Sequence, residues 1–371
     1  MRIDDVQVEL VSVPLAESFG GSSYAAATRN TVIVTVTTDD GVVGRIHAGD
    51  ERDQLPELGR ILRQDLRPQV IGRDATAIEP LWSELLRRSP SAASGADQGL
   101  YIHALSCLDT ALWDALGKRA GLPMFRLWGG TPEPLPSFVI GGYYRDGKSL
   151  HELADEVADY QASGYGGLKL KVGGLTPAED LDRLAAVRDR VGPDFPIACD
   201  ANQGWRLDQA LAFAEGAAEH GIIWFEEPIV WYEQYRDLAR LRDRIDIPIC
   251  AGQSEHDPAG AVRLIQDGCV DILNYDSSWG GGPTGWRKVS HVAEMAGVTL
   301  AHHEEPHISA HLLTTVERRT GAEFFHAERD PVWHRLLTER PQLEDGQLRA
   351  NDLPGFGLVY DEDFLAKYRI G

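Results

Sequence analysis

The segment Gly167-Leu-Lys-Leu-Lys-Val172 is a short apolar run that carries two lysines, and it is the first of a series of such runs. Each run has an ionisable residue or a short polar loop at its carboxyl end, which is typical of parallel strands buried on both faces. The runs that follow are Phe195-Pro-Ile-Ala-Cys-Asp200, Ile222-Ile-Trp-Phe-Glu-Glu227, Ile247-Pro-Ile-Cys-Ala-Gly252, Asp271-Ile-Leu-Asn-Tyr-Asp276 and Val298-Thr-Leu-Ala-His-His303. Together they predict consecutive strands of one parallel sheet.

Amphipathic helical patterns lie between these runs, beginning for example at Pro177, Leu207 and Pro258. The ionisable residues at the strand ends are 21 to 29 residues apart, which is the length of one strand, one helix and two short loops. The alternation predicts an α/β fold, a (β/α)7-8 TIM-like barrel over residues 131–330. In such a barrel all strands end at one mouth, so charges that are distant in sequence meet at one site.

Residues 1–130 have a different pattern. Alternating β-rich segments around Val6 and Thr31, with a hairpin turn at Asp39-Asp-Gly41, predict an antiparallel meander, and helical periodicity follows it. We expect an N-terminal α+β capping domain, to which a C-terminal segment of about residues 331–371 returns. The loop Phe19-Gly-Gly-Ser-Ser-Tyr24 is interpreted either as a lid or as an ordinary surface loop.

Composition excludes some classes of partner. The 371 residues carry a net charge of -21, which argues against binding to nucleic acid or to an anionic membrane. The four cysteines lie in apolar stretches without CxxC spacing, so no disulfide is predicted. Neither a secretory leader nor a run of membrane-spanning length is evident. A cytoplasmic homo-oligomer that acts on a small molecule is expected.

Two lysines occupy alternate positions of one predicted strand. Lys169 and Lys171 point to the same face, since side chains alternate along a strand. Two neighbouring ammonium groups lower each other's pKa, so one of them is expected to be a free amine near neutral pH. A free amine at the mouth of a barrel can act as a base.

Three carboxylates and a carboxylate–imidazole pair follow at successive strand ends. Asp200, Glu226 and Glu255 offer oxygen ligands that suit a hard divalent cation, which predicts one Mg²⁺. Asp276 and His303 end the next two strands, and a carboxylate beside an imidazole orients the ring and raises its basicity. The pair therefore predicts a second base across the mouth from the lysines.

With these residues the chain resembles the enolase superfamily, and within it the mandelate racemase subgroup. The resemblance covers essentially the whole chain. It rests on the motifs Lys169-Leu-Lys171, Asp200-Ala-Asn202, Glu226-Glu-Pro228, Gly280-Gly-Gly282 after Asp276, Ile308-Ser-Ala-His311 after His303, and the cap segments 106–117 and 123–130.

The resemblance implies a role for each catalytic group. Lys171 would be the base on one face of the substrate, with Lys169 beside it, and the His303–Asp276 pair would serve the other face. Glu328 would hydrogen-bond the substrate carboxylate as it becomes an enediolate.

The resemblance also implies metal ligands, with one departure. Asp200 and Glu226 match the family's ligands, but Gly252-Gln253 stands where the family usually has Gly-Glu. If the strand stays extended, Glu255 shares a face with Gln253, so Glu255 is predicted as the third ligand and Gln253 as its alternative. Gln253 is also predicted to contact the substrate.

Further substrate contacts are predicted from polar residues near the mouth. Tyr144, Asn202 and His47 are assigned to this group, and for both His47 and Asp50 a position in the pocket and one on the surface are weighed equally.

These parts predict an enzyme that removes a proton next to a carboxylate. The loops after the strands are rich in polar and aromatic residues, which favours dehydration of a sugar acid, an aldonate or aldarate, to a 2-keto-3-deoxy acid. Racemisation, epimerisation or cycloisomerisation through the same enolisation is the alternative. A protein that binds acid sugars without catalysis is a second alternative, because a fold does not guarantee a function.

Overall fold

The computed structural model describes residues 1–22, 24–49, 54–90 and 97–371. The chain begins with an antiparallel sheet in the order β1-β2-β3. Its strands are β1 (Ile3–Gly20), β2 (Ala25–Thr38) and β3 (Val43–Ala48). Val32, Val34 and Val36 of β2 are fully buried, so this sheet has a strongly apolar face.

Helices cover that face. They are α1 (Leu55–Arg60), α2 (Arg67–Val70), α3 (Ile78–Arg87), α4 (Gln98–Ala120) and α5 (Met124–Leu127), with a π-helical turn at Ile61–Leu66. The Asp97 side chain accepts from the Leu100 amide at the start of α4, and Gly121 ends this helix at φ 67°. Most of α4 is buried, because it lies between the first sheet and the barrel.

Eight parallel strands form the barrel. They are β4 (Leu135–Gly141), β5 (Gly167–Lys171), β6 (Ile197–Asp200), β7 (Phe225–Glu226), β8 (Ile249–Ala251), β9 (Ile272–Asn274), β10 (Thr299–Ala301) and β11 (Ala322–Phe325). Neighbours pair in sequence order from β4 to β10, and β11 pairs with β4. Leu300 of β10 exchanges hydrogen bonds with Arg318 and Thr320, just ahead of β11. The predicted fold class, a TIM-like barrel with an N-terminal α+β cap, is confirmed.

Helices between the strands surround the barrel. They are α6 (Leu150–Ala162), α7 (Pro177–Val191), α8 (Leu207–Ala217), α9 (Gln234–Arg242), α10 (Pro258–Gln266), α11 (Gly282–Ala296) and α12 (Pro306–Leu312). Capping boxes at Ser149 and Thr176 begin α6 and α7. The helices at Pro177 and Pro258 begin where the sequence predicts them.

The end of the chain packs on both units. It contains β12 (Leu337–Glu339), β13 (Gln342–Glu344), β14 (Gln347–Arg349), β15 (Val359–Tyr360) and α13 (Glu362–Tyr368). β14 pairs with β4 of the barrel, and the Ile370 amide donates to the Leu10 carbonyl of β1. Across the described ranges, no helix combines the length with the apolar character that a membrane crossing requires.

Candidate active site

The parallel register brings the predicted site residues to one edge of the barrel. Lys171 pairs in register with Asp200, and Asp200 pairs with Glu226. Strands β5, β6 and β7 therefore end side by side, each with an ionisable residue. All three residues are buried, as is Lys169.

Both lysines are ion-paired. Lys169 Nζ lies 2.8 Å from Glu226 Oε1 and 2.7 Å from Glu323 Oε1. Lys171 Nζ lies 2.6 Å from Asp200 Oδ2. The alternation along β5 thus directs both ammonium groups into the mouth, among carboxylates of three other strands.

The lysines are more basic here than the sequence predicts. Burial by itself lowers the pKa of Lys169, but Glu226, Glu323 and Asp200 outweigh burial and raise that pKa above its ordinary value. The pKa of Lys171 is raised in the same way, with Asp200 as the strongest opposing charge. The expected mutual lowering of pKa is present, but the carboxylates dominate it, so both lysines are ammonium ions in this arrangement.

A histidine–carboxylate pair lies on the strands that follow. His303 Nδ1 lies 2.9 Å from Asp276 Oδ2, and the ring of Trp279 is 5.4 Å from the imidazole. Burial lowers the pKa of His303, but Glu304 and Asp276 outweigh burial and raise it to about 9. The ring is therefore an imidazolium near neutral pH, and its Nε2 lies 3.4 Å from Glu304 Oε1.

Gln253 and Glu255 take different positions after β8. The chain turns at Gly252, whose φ is 127°, so the extended geometry assumed for residues 253 to 255 is absent. The Glu255 carboxylate accepts hydrogen bonds from Tyr235 Oη at 2.8 Å, on the α9 side of the loop. The structure does not bring Glu255 to Asp200 and Glu226, contrary to the expectation that an extended strand supports.

The Gln253 side chain, unlike that of Glu255, has a buried oxygen that is not engaged in a hydrogen bond with the described residues. It is 7% exposed, and its Oε1 is a buried atom without a hydrogen-bond partner among the described residues. A buried carbonyl oxygen without a hydrogen-bond partner destabilises the fold unless a ligand binds to it. Two carboxylates, from Asp200 and Glu226, and one amide oxygen are donors of the chemical type that Mg²⁺ binds.

The structure places one of the predicted substrate contacts at the mouth and others away from it. Asn202 is at the mouth, where its Nδ2 donates to Asp200 Oδ2 at 3.1 Å. Tyr144 is outside the site, since its hydroxyl donates to Asp180 at the start of α7. The ring that faces Lys171 is that of the preceding residue, Tyr143, at 5.7 Å.

His47 lies behind the mouth, where its ring stacks on that of His307 at 4.0 Å. These two histidines and Glu305 form a buried cluster between cap and barrel. Asp50 lies outside the described residues.

Glu328 is not brought to the site. Its side chain is 85% exposed, after the end of β11, with His326 as its neighbour. Glu323, in the middle of β11, takes the buried position and contacts Lys169. The sequence analysis missed Glu323, although an acidic residue inside the apolar run Ala322-Glu-Phe-Phe325 was a detectable sign.

The loop between β1 and β2 covers part of the mouth. Ser22 Oγ donates to the carbonyl of Ala201 at 2.9 Å, and the Tyr24 ring is 5.9 Å from Lys171 Nζ. Ser23, within the same predicted lid, lies outside the described residues. The cap thus contributes an aromatic wall to a site whose charged groups come from the barrel.

Comparison with protein families matches both parts of the chain. The family model "Mandelate racemase / muconate lactonizing enzyme, N-terminal domain" matches residues 5–129. The family model "Enolase C-terminal domain-like" matches residues 152–364.

Individual proteins with several activities are similar to the chain. Arabinonate dehydratase of Saccharolobus solfataricus is 30% identical over 312 residues, which cover 82% of this chain and 81% of that protein. D-galactarolactone cycloisomerase of Agrobacterium fabrum is 30% identical, with 100% of this chain and 99% of that protein covered. A crystal structure of a mandelate racemase/muconate lactonizing enzyme from a marine actinobacterium, in complex with magnesium, is 38% identical at a TM-score of 0.91, covering 100% of this chain and 99% of that one.

Proposed function

Because this chain belongs to the mandelate racemase and muconate lactonizing enzyme family of the enolase superfamily, we propose that it is a Mg²⁺-dependent dehydratase of sugar acids. The product would be a 2-keto-3-deoxy acid. One observation carries the proposal: Lys171 and the His303–Asp276 pair reach one mouth from separate strands of the barrel. Relatives named as dehydratases support the reaction type, and a relative named as a cycloisomerase marks the main alternative.

Asp200, Glu226 and Gln253 are the residues that would hold Mg²⁺. When bound, the ion supplies Lewis-acid polarisation of the substrate carboxylate and takes up the negative charge of Asp200 and Glu226. The fit rests on the orphaned Gln253 oxygen and on the two buried carboxylates.

The lysines act at the carboxylate end of the substrate. Asp200 is the charge that most strongly keeps Lys171 protonated, and its engagement as a metal ligand would favour the neutral amine. In that neutral form, Lys171 Nζ accepts the proton from the carbon next to the carboxylate, and Lys169 Nζ donates a hydrogen bond to the oxygen on which negative charge develops. Glu323 and Glu226 hold the Lys169 ammonium group in position by their contacts of 2.7 and 2.8 Å. Preorganised donors of this kind stabilise charge that appears in the transition state.

His303 acts as the acid. Its Nδ1 is held by Asp276, so Nε2 presents the transferable proton. The raised pKa of about 9 keeps the ring protonated at neutral pH, which suits a group that protonates a departing 3-hydroxyl. Loss of that hydroxyl as water leaves an enol, which becomes the keto acid.

The test is a screen of aldonates and aldarates in the presence of Mg²⁺, read by a colour reaction for 2-keto-3-deoxy acids and by ¹H NMR in D₂O. Formation of a keto acid from at least one acid supports dehydration. Accumulation of an epimer or a rearranged lactone, without keto acid, would replace it by the isomerase alternative. Binding of acids without α-proton exchange would favour the non-catalytic alternative.

A further inference from the structure

Glu304 lies beside Nε2 of His303, on the opposite edge of the ring from Asp276, and the reaction proposed above uses its charge to keep the imidazole protonated but gives it no contact with the substrate. Resting on that proposed function, we propose that Glu304 is a specificity residue that binds hydroxyl groups of the sugar chain and makes the enzyme prefer aldonates, with one carboxylate, over aldarates, with two.

The contacts of the two ring nitrogens of His303 show where Glu304 lies. His303 Nδ1 is occupied by Asp276, and Glu304 Oε1 lies 3.4 Å from His303 Nε2. A hydroxyl that takes a proton from Nε2 must come within about 3 Å of that nitrogen. Such a hydroxyl is therefore within roughly 6 Å of the Glu304 carboxylate, so the substituents next to C3 meet this side chain.

The main chain holds Glu304 in this place. Its φ is 48°, a left-handed conformation that side chains other than glycine seldom adopt. Its amide donates to Glu323 Oε2 at 3.0 Å, which connects it to the acidic residue that holds Lys169. Strained backbone of this kind is found preferentially at functional sites.

Glu304 places a negative charge among the cations His303, Arg29, Lys169 and Lys171. The nearest cation on the cap side is Arg29, whose Nη2 lies 3.3 Å from Glu304 Oε2. Arg29 also contacts Asp330, at 3.4 Å from its Nε. One guanidinium thus faces two carboxylates, so it offers little attraction to a second anion. Burial raises the pKa of Glu304, but His303, Arg29 and the two lysines outweigh burial and lower it, so Glu304 is a carboxylate at neutral pH.

This environment discriminates between the two kinds of sugar acid. A carboxylate accepts hydrogen bonds, and the hydroxyl groups along the sugar chain can donate them. A second substrate carboxylate cannot donate such bonds and is repelled by like charge in a partly desolvated space. Lys169 and Lys171 are assigned to the reacting carboxylate and its neighbouring carbon, so they are not free to pair with a second substrate carboxylate.

The experiment compares matched pairs of acids that have the same configuration at C2 to C5 and differ only in the terminal group, CH₂OH or carboxylate. For the unmodified protein with Mg²⁺, we expect kcat/KM for the aldonate to exceed that for the aldarate by about tenfold or more. Glu304→Gln should reduce that ratio by about tenfold, while Glu304→Asp, which keeps the charge, should largely retain it. The matched control is Glu317→Gln, which removes the same charge from an exposed position and should leave the ratio unchanged.

The outcomes separate this proposal from the one on which it rests. Turnover of aldarates in preference to aldonates, or an unchanged ratio in Glu304→Gln, would overturn the role of Glu304 and leave the dehydratase intact. Absence of α-proton exchange with every acid would instead remove the proposed function. If Glu304→Gln fails to fold, the wild-type ratio together with Glu304→Asp still decides the question.

Discussion

The imidazole of His303 lies between two carboxylates, and this raises its pKa from an ordinary 6.5 to about 9. A histidine whose pKa is raised by folding stabilises the native state fully below pH 6.5, and that stabilisation is lost as pH rises through 9. We predict that His303→Asn lowers the free energy of unfolding by about 3 kcal/mol more at pH 6 than at pH 10. Chemical denaturation at several pH values measures the difference. If the difference in free energy of unfolding between the unmodified protein and His303→Asn does not change with pH, His303 is not protonated in the folded protein.

Lys171 and His303 are predicted to serve different steps. If Lys171 removes the α-proton, Lys171→Ala should abolish both its exchange with D₂O and product formation. His303→Asn should block product formation by a factor of about 100 or more, while exchange continues. Both are followed by ¹H NMR on a substrate found in the screen. The reverse pattern, with exchange lost only in His303→Asn, would make His303 the abstracting base.

At the scale of elements, the cap sheet packs closely against helix α4 at Gly44 in β3. A Cβ atom at Gly44 would lie 2.1 Å from the Ala111 carbonyl oxygen and 2.7 Å from the Ala115 amide nitrogen. Backbone atoms of a buried helix cannot move aside cheaply. We predict that Gly44→Ala lowers the free energy of unfolding by about 3 kcal/mol, since overpacking is costly even for one methyl group.

The control for Gly44→Ala is Gly41→Ala, which makes the same substitution in the same hairpin. Gly41 has open space where an alanine methyl group would lie, but its φ is 83°. Gly41→Ala should therefore cost only the left-handed penalty, about 1 kcal/mol. Thermal and chemical denaturation of both variants give the comparison. An equal loss of free energy of unfolding in the two variants would mean that the sheet can move away from α4.

At the scale of the whole molecule, the proposed Mg²⁺ site depends on three strands of a closed barrel. Removal of divalent cations with EDTA should abolish activity, and added Mg²⁺ should restore it. Calorimetric titration of the metal-free protein should show weaker binding for Gln253→Ala and tighter binding for Gln253→Glu, because the latter adds a charged ligand.

Glu255→Gln discriminates between the two candidate third ligands. Since the Glu255 carboxylate is held by Tyr235, this change should alter Mg²⁺ affinity less than Gln253→Ala does. The opposite ranking would return the third ligand to Glu255, and full turnover in metal-free protein would remove the metal from the reaction.

Position along a strand is the information that the sequence conveys best. Lys169 and Lys171 could be assigned to one face because side chains alternate in β5, and Asp200 could be placed beside Lys171 because parallel strands end together. The contact between Asp276 and His303 follows from the same reasoning, as each is the second residue after a neighbouring strand of three residues.

Loop residues after the strands could not be placed in this way. Periodicity ends where the chain turns, so the turn at Gly252 separates Glu255 from Gln253, and the turn after β11 leaves Glu328 exposed. The same limit applies to Tyr144, which points to α7 while Tyr143 faces Lys171.

The sequence by itself determined the barrel, its cap and the charged residues at the strand ends, because hydrophobic burial imposes a local period of two on strands and 3.6 on helices. Only the tertiary structure decided which carboxylates surround each lysine, that Glu323 rather than Glu328 is buried there, and that Glu304 and Arg29 meet beside His303. Those contacts join residues up to 275 positions apart. Their geometry depends on loop conformation and on the docking of the cap, which no local pattern encodes.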